Sequence, residues 1–142
     1  MSIGDSVRIE LAIEGTQPNV DKWTMPLADS LVRAIGARGA GPVLAEYRTA
    51  AGSDSVLRRA SQFMLINTGR KLSYHQQGEA AIQVFRLAAE LNPKSAEPLA
   101  WLGEAQRNAG QTGEAAKSFA QALALDPTHP AALEGGRVTG SR

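Results

Sequence analysis

Apolar residues recur at helical spacing near the start of the chain and predict a pair of amphipathic helices. The two apolar stripes consist of Leu27, Leu31, Ala34 and Ile35, and of Val43, Leu44, Tyr47 and Ala50. The glycine-rich stretch 36–41 between them predicts a turn. Thr24 is the expected N-cap of the first helix, with Pro26 in its first turn. Residues 25–52 are therefore predicted to form a helical hairpin, interpreted as a degenerate repeat.

A repeat of 34 residues follows: the segment from Gln62 to Lys94 returns as Ala96 to Thr128. Seven identical pairs stand at this offset: Leu65 and Leu99, Gly69 and Gly103, Ala81 and Ala115, Phe85 and Phe119, Ala88 and Ala122, Leu91 and Leu125, Pro93 and Pro127. The glycines permit close helix approach, and the phenylalanines are expected to fill the space between hairpins. We predict repeats over 62–95 and 96–129, then a capping helix over 130–136 that ends at two glycines.

Particular residues predict where the repeat helices end. Asn92 and Asp126 each precede a proline, which disfavours the helical conformation of the residue before it, so the second helices should stop there. In the second repeat, Gly110 is expected to end the first helix and Thr112 to cap the next. The first repeat has Gln76 where a turn glycine is usual, which leaves its turn geometry open.

The order leucine, glycine, alanine, aromatic, alanine, proline over 34 residues resembles the tetratricopeptide repeat family. The segment LAWLGEAQRNAGQTGEAAKSFAQALALDP, from Leu99 to Pro127, follows the pattern more closely than the first repeat, which has Thr68 where a leucine is usual. The resemblance implies an all-α solenoid of helical hairpins that binds a protein or peptide on its concave surface.

Residues 1–24 carry a different pattern and are predicted to form an N-terminal strand or arm. From Val7 to Ile13, apolar residues alternate with mostly polar ones, which is typical of a β-strand. A single strand has no partner in a helical solenoid. Three explanations are left open: pairing with a second copy in a homodimer, the remnant of a larger domain, or a mobile arm.

The stretch from Leu27 to Pro127 also resembles the carboxy-terminal tail found on some bacterial serine hydrolases of the β-lactamase-related type and on other esterase-like proteins. The phrase FRLAAELNPKSAEPLAWLGEA carries most of this resemblance. It implies a non-catalytic tail preceded by a strand-rich region. A second hypothesis for function follows, that of a non-catalytic accessory or oligomerisation domain of a serine hydrolase-like protein.

Composition narrows the range of partners. Fifteen basic residues against 14 acidic ones give a net charge of +1, without the excess that attracts nucleic acid or anionic membranes. No cysteine is present, and no apolar run reaches the roughly 18 residues that span a bilayer. The start of the chain lacks a secretory pattern. We expect a cytoplasmic protein with neither nucleic-acid nor membrane partners.

No catalytic motif is found. A serine three residues before a lysine is absent; Thr68 is the one hydroxyl at that spacing, and it falls on the packed face of its helix. Residues 52–55 form no nucleophile elbow and predict a loop with a cap for a helix that begins near Ser55. His75 and His129 lack helical metal-ligand spacing and are expected to be exposed loop residues. We predict no enzyme activity, no metal and no cofactor.

The family resemblance implies a partner-binding surface on the outward faces of the first helices. Its residues would be Phe63, Ile66, Arg70, Ser73 and Tyr74 from the first repeat, and Glu97, Ala100, Glu104, Arg107 and Asn108 from the second. In the functional interpretation, Arg70 and Arg107 bind carboxylates or backbone carbonyls. In the alternative, Arg70 pairs with Glu104 across the groove and Phe63 packs against the upstream hairpin.

Overall fold

The computed structural model describes residues 20–140 of the 142-residue chain, with side chains over residues 28–139. Within this range the chain forms seven α-helices and no β-strand. The helices are α1 (Val20–Arg38), α2 (Ala40–Ser53), α3 (Ser55–Tyr74), α4 (Gly78–Leu91), α5 (Glu97–Asn108), α6 (Thr112–Leu125) and α7 (Pro130–Gly140). The predicted all-α fold of helical hairpins is confirmed for this range. The predicted strand, Val7–Ile13, lies outside the described residues.

Short connections place consecutive helices side by side, and each hairpin packs on the next one. The larger core cluster joins buried side chains of α1 to α5. A smaller cluster, rich in alanine, joins α5, α6 and α7. The interior is therefore continuous from one hairpin to the next, as expected of a helical solenoid.

The first hairpin differs in detail from its prediction. Its turn is a single residue, Gly39, with a φ of 90°, rather than the whole stretch 36–41. Helix α1 begins at Val20, so Thr24 is not its N-cap. Pro26 is the seventh residue of α1, so it does not lie in the first turn, where it was predicted.

Helix α3 begins at Ser55, seven residues before the predicted repeat boundary at Gln62. The cap predicted for this helix is confirmed. The Asp54 carboxylate accepts hydrogen bonds from the backbone N–H groups of Val56, at 3.0 Å, and Leu57, at 3.1 Å. The buried side chain of Leu57 belongs to the larger core, and this extends the helix upstream.

The two repeat turns have the same backbone geometry. Gln76 has a φ of 62° and Gly110, its counterpart 34 residues later, a φ of 82°. In both turns the next residue donates a hydrogen bond of 2.8 Å to a carbonyl five residues earlier, which is the Schellman pattern. The missing glycine therefore does not change the first turn. Thr112 is the first residue of α6 and not its cap, because Gln111 precedes it as N-cap without a side-chain bond.

The predicted ends of the second helices are confirmed: α4 stops at Leu91 before Asn92, and α6 stops at Leu125 before Asp126. The Asn92 side chain also hydrogen-bonds the end of α4. Its Nδ2 donates to the Ala88 carbonyl at 2.9 Å. Helix termination by the residue before a proline therefore works as expected in both repeats.

Phenylalanine rings lie against glycine backbones between the helices. Phe85 and Phe119 are each 1% exposed, so their predicted core role is confirmed. A Cβ atom added to Gly69 would lie 2.4 Å from Phe85 Cε1, and one added to Gly103 would lie 2.8 Å from Phe119 Cε1. Only a residue without a side chain permits this approach.

Helix α7 continues through Gly135 and Gly136 to Gly140, so the predicted stop at the two glycines is wrong. The reason is packing. A Cβ atom on Gly135 would lie 2.3 Å from Phe119 Cζ, which shows that this glycine brings α7 close to the ring instead of breaking the helix. Thr139 Oγ1 donates to the Gly135 carbonyl at 2.9 Å within the same helix.

We predict that Gln76→Gly raises the free energy of unfolding. A non-glycine residue at positive φ is strained by about 1–2 kcal/mol, and the greater freedom of glycine in the unfolded chain cancels part of that gain. We expect a net stabilisation of about 0.5–1 kcal/mol in urea unfolding followed by circular dichroism at 222 nm.

The reciprocal change, Gly110→Gln, is the matched control. No atom lies within 4 Å of the position a Cβ would take there, so only the backbone strain of the turn acts. It should destabilise by about 1–2 kcal/mol. Two substitutions of the same sign would contradict the turn geometry.

We also predict that Gly103→Ala destabilises the protein by about 1–3 kcal/mol, because its methyl group would overlap the Phe119 ring in a closely packed core. Gly36→Ala serves as the control. Gly36 lies in α1 with nothing within 4 Å of its Cβ position, so helix propensity alone should make this change neutral or stabilising. Equal effects in urea unfolding would argue against the glycine contact.

Candidate functional site

A groove of about 720 Å³ lies between α3 and α5, the first helices of the two repeats. We call it the α3–α5 groove. Its lining consists of Asn67, Arg70, Lys71, Ser73, Tyr74 and His75 from α3 and its end, Phe85 from α4, and Trp101, Glu104, Ala105 and Asn108 from α5. The first helices of consecutive hairpins thus form one open surface, as the repeat geometry implies.

Trp101 contacts an aromatic ring and a cation in this groove. The Phe85 ring stacks on it at a centroid distance of 6.0 Å and an interplanar angle of 18°. Over the indole ring lies the guanidinium of Arg70, with its Cζ 5.2 Å from the ring centroid, a distance at which a cation is attracted to the π system. Arg70 is therefore positioned by an aromatic ring that the core itself supports.

The edge of Trp101 is fixed by a polar chain that reaches α7. Trp101 Nε1 donates to Glu97 Oε1 at 3.0 Å, and Glu97 Oε2 lies 2.7 Å from His129 Nε2. The backbone N–H of Ala132 donates to His129 Nδ1 at 3.3 Å, so Nδ1 is the acceptor nitrogen and Nε2 carries the proton that Glu97 accepts. His129 thereby caps the first turn of α7 and orients Glu97.

Ion pairs engage most of the other charges near the groove. Lys71 Nζ lies 2.8 Å from Asp29 Oδ1 of α1, and Arg107 lies 2.5 Å from Glu104 within α5. The alternative in which Arg70 pairs with Glu104 is thus wrong, because the Glu104 carboxylate bonds a cation on its own helix. Within the described residues, no aspartate or glutamate forms an ion pair with Arg70.

The structure places the predicted partner-binding residues in three environments. Those that line the groove are Arg70, Tyr74, Glu104 and Asn108, together with Ser73. Tyr74 is the most open, with 84% of its surface exposed. Those that are exposed or half-buried outside the lining are Phe63, Glu97 and Arg107. The two that are buried are Ile66 and Ala100.

The burial of Ile66 and Ala100 corrects their assignment to an open surface. They are 8% and 3% exposed, respectively. Ala100 belongs to the same small cluster as Ala132 of α7, which covers this side of α5. Neither side chain is available to a ligand in this conformation.

The histidines and Thr68 also have defined environments. His75 is exposed, as predicted, and its ring meets Tyr74 edge to face at 5.5 Å. The prediction that His129 is exposed is wrong, because only 12% of its side chain is exposed and it bonds Glu97. Thr68 is buried as predicted, with Oγ1 donating to the Met64 carbonyl at 2.7 Å.

The sequence analysis did not assign Trp101, Asn67 or Lys71 to the binding surface. Trp101 follows Glu97 by four residues and precedes Glu104 by three, so helical spacing alone places it on their face. That spacing was the signal that could have identified it.

In the described part of the chain, no group of three His, Asp or Glu residues is arranged to hold a metal ion. None of the helices described over residues 20–140 has the length and apolar character to cross a bilayer.

Comparison with known proteins identifies the repeat. Residues 96–129 match the tetratricopeptide repeat family model, and these are the limits predicted for the second repeat. The crystal structure of MamA is similar to this chain with a TM-score of 0.58 and 16% sequence identity, over 99% of this chain and 84% of the MamA chain. No curated protein matches the chain. The MamA similarity shows the fold, and the family match shows one repeat of known type.

We predict that Glu97→Ala disturbs both the groove and α7. The change removes the acceptor for Trp101 Nε1 and for His129 Nε2, so two donors lose their partner. We expect a loss of about 1–2 kcal/mol in the free energy of unfolding. In a Trp23→Phe background, where Trp101 is the remaining tryptophan, its emission should shift.

Glu79→Ala is the control for this prediction. Glu79 is exposed on α4 and accepts a 3.3 Å hydrogen bond from Gln111, a surface contact of the kind that contributes little. Its removal should change stability by less than about 0.5 kcal/mol. If both glutamate variants change the free energy of unfolding equally, the hydrogen bonds that link Trp101, Glu97 and His129 do not contribute specifically to stability.

Proposed function

We propose that this protein is a non-catalytic interaction module that binds an extended segment of another polypeptide in the α3–α5 groove. The observation that carries the proposal is the lining of the groove. An aromatic side chain that is 84% exposed, Tyr74, stands beside a cation, Arg70, and an amide, Asn108. Apolar, charged and amide groups in one concave surface are what a peptide chain requires of its receptor.

The tetratricopeptide repeat match supports a scaffold role in protein interaction in general terms. The groove supports the more specific proposal of binding between α3 and α5, because these first helices of the two repeat hairpins line one opening. Arg70, Tyr74, Glu104 and Asn108 are the proposed contact residues. Phe63, which is 48% exposed on α3, extends the surface toward the start of that helix.

Glu97 and Arg107 have supporting roles in this proposal. Glu97 fixes the Trp101 ring, and Arg107 engages the Glu104 carboxylate. Each of them shapes the groove through another residue instead of meeting the ligand itself. Ile66 and Ala100 are left out of the proposed contact surface because they are buried.

Other expectations from the sequence stay predictions. They are the absence of enzyme activity, the cytoplasmic location, and the lack of nucleic-acid and membrane partners. The homodimer through Val7–Ile13 also stays a prediction, because that segment lies outside the described residues. The accessory role beside a serine hydrolase depends on a resemblance that neither the repeat match nor the MamA similarity addresses.

A selection from a phage-displayed library of random dodecapeptides tests the proposal directly. We expect the wild-type protein to enrich specific sequences. Titration of a selected peptide into ¹⁵N-labelled protein should shift the amide resonances of α3 and α5 more than those of α6. Enrichment of no peptide, or shifts confined to α6, would refute binding in the groove.

We predict that Tyr74→Ala weakens binding of a selected peptide at least about fivefold, because truncation of an exposed aromatic anchor removes most of its contact area. Fluorescence anisotropy of the labelled peptide measures the effect. Leu125→Ala is the control: Leu125 is 43% exposed at the end of α6, outside the groove, and its loss should leave affinity unchanged. Equal losses in both variants would point to a general effect on folding.

A further inference from the structure

Among the described residues, the charges around the α3–α5 groove leave one cation without an acidic partner. Lys71 is paired with Asp29, and Glu104 with Arg107, whereas Arg70 is held by the Trp101 ring without an acidic partner among the described residues. A guanidinium that lies over an aromatic ring keeps its N–H edge free for hydrogen bonds in its own plane. A carboxylate fits that edge through two parallel hydrogen bonds.

An exposed aromatic side chain stands one helical turn beyond this cation. Tyr74 follows Arg70 by four residues on α3, and both line the groove. Four residues advance a helix by about 6 Å along its axis and return to the same face. The groove therefore presents a cation and then an aromatic surface about 6 Å apart.

The same distance fits a particular spacing in an extended peptide. A β-like chain rises about 3.3 Å per residue, and its side chains point to the same side at every second residue. Two residues advance such a chain by about 6.6 Å. An extended peptide that runs along α3 can thus place side chains i and i+2 on Arg70 and Tyr74 at once, while adjacent side chains would point to opposite sides.

We infer that the partner segment carries an acidic residue and an apolar residue separated by one position. The side-chain carboxylate of Asp or Glu bonds Arg70, and the apolar side chain packs on Tyr74. This inference rests on the proposed function, since it names the chemistry of the peptide that the groove receives. Arg70 is a cation that has no acidic partner among the described residues, and this favours an acidic peptide over a basic one.

The phage selection described above tests the spacing. Sequences selected by the wild-type protein should be enriched in Asp or Glu with an apolar residue two positions away, relative to the unselected library. Selection with Arg70→Gln should lose this enrichment. Arg86→Gln is the charge-matched control, because Arg86 is exposed on α4 and does not line the groove, and it should retain the enrichment.

Synthetic decapeptides with blocked ends then separate the contribution of the acidic side chain from that of the residue spacing. We compare a central Glu-Ser-Leu with its permutation Glu-Leu-Ser and with the uncharged Gln-Ser-Leu, within the flanks of a selected sequence. The first should bind about tenfold more tightly than either of the others, and Arg70→Gln should remove the preference for Glu over Gln. Added salt should weaken the Glu peptide more than the Gln peptide.

The possible outcomes distinguish a failure of the acidic motif from a failure of peptide binding itself. Peptides that bind in the groove without an acidic residue, or that bind Arg70→Gln as tightly as wild type, would overturn the acidic motif and leave peptide binding intact. The Glu-Ser-Leu decapeptide is also tested with its carboxy terminus free, and binding by this form alone would assign Arg70 to a terminal carboxylate and overturn the side-chain assignment. Selection of no peptide by the wild-type protein would refute the proposed function and this inference together.

Discussion

The seating of a phenylalanine ring on a glycine backbone sets the distance between successive helices in this protein. Phe85 lies against Gly69, and Phe119 lies against both Gly103 and Gly135, each at a distance that no added Cβ could share. Because protein interiors are packed to crystal-like density, such a contact fixes the neighbouring helices as well as the ring. Phe85 also stacks on Trp101 of α5 and lines the α3–α5 groove, so the packing of α3 on α4 is connected to the groove.

The second neighbour of each phenylalanine ring differs between the repeats, and this difference connects the fold to the candidate site. Trp101 stacks on Phe85. The equivalent residue 34 positions later is Gly135, whose backbone lies against Phe119. The tryptophan fills space and carries Arg70 on its ring. The glycine leaves no side chain, and α7 packs directly on the preceding repeat. The same repeat position thus lines the α3–α5 groove in one unit and covers the core in the next.

The proposed site depends on support that comes from distant parts of the chain. Trp101 is held at its edge by Glu97, whose second oxygen bonds His129, and His129 in turn caps α7. Helix α7 therefore stabilises the ring that positions Arg70, although α7 does not line the groove. A side chain that is already positioned loses little freedom when a ligand binds, and this favours recognition by Arg70.

The amino-acid sequence alone determined the all-α hairpin fold, the ends of α4 and α6, and the core positions of Phe85 and Phe119. These features follow from local backbone preferences and from a repeat whose two copies can be compared directly. The family resemblance placed Arg70 and Tyr74 on the surface of the first repeat helix, and both line the groove.

Only the tertiary structure decided which charges and surfaces remain open. The pairing of His129 with Glu97 joins residues 32 positions apart, so no search at helical spacing finds it. The burial of Ala100 depends on α7, and the two glycines of that helix gave a misleading local signal for its end. Ion pairs and coverage by a neighbouring helix are contacts between separate elements, and a linear pattern does not contain the distances that determine them.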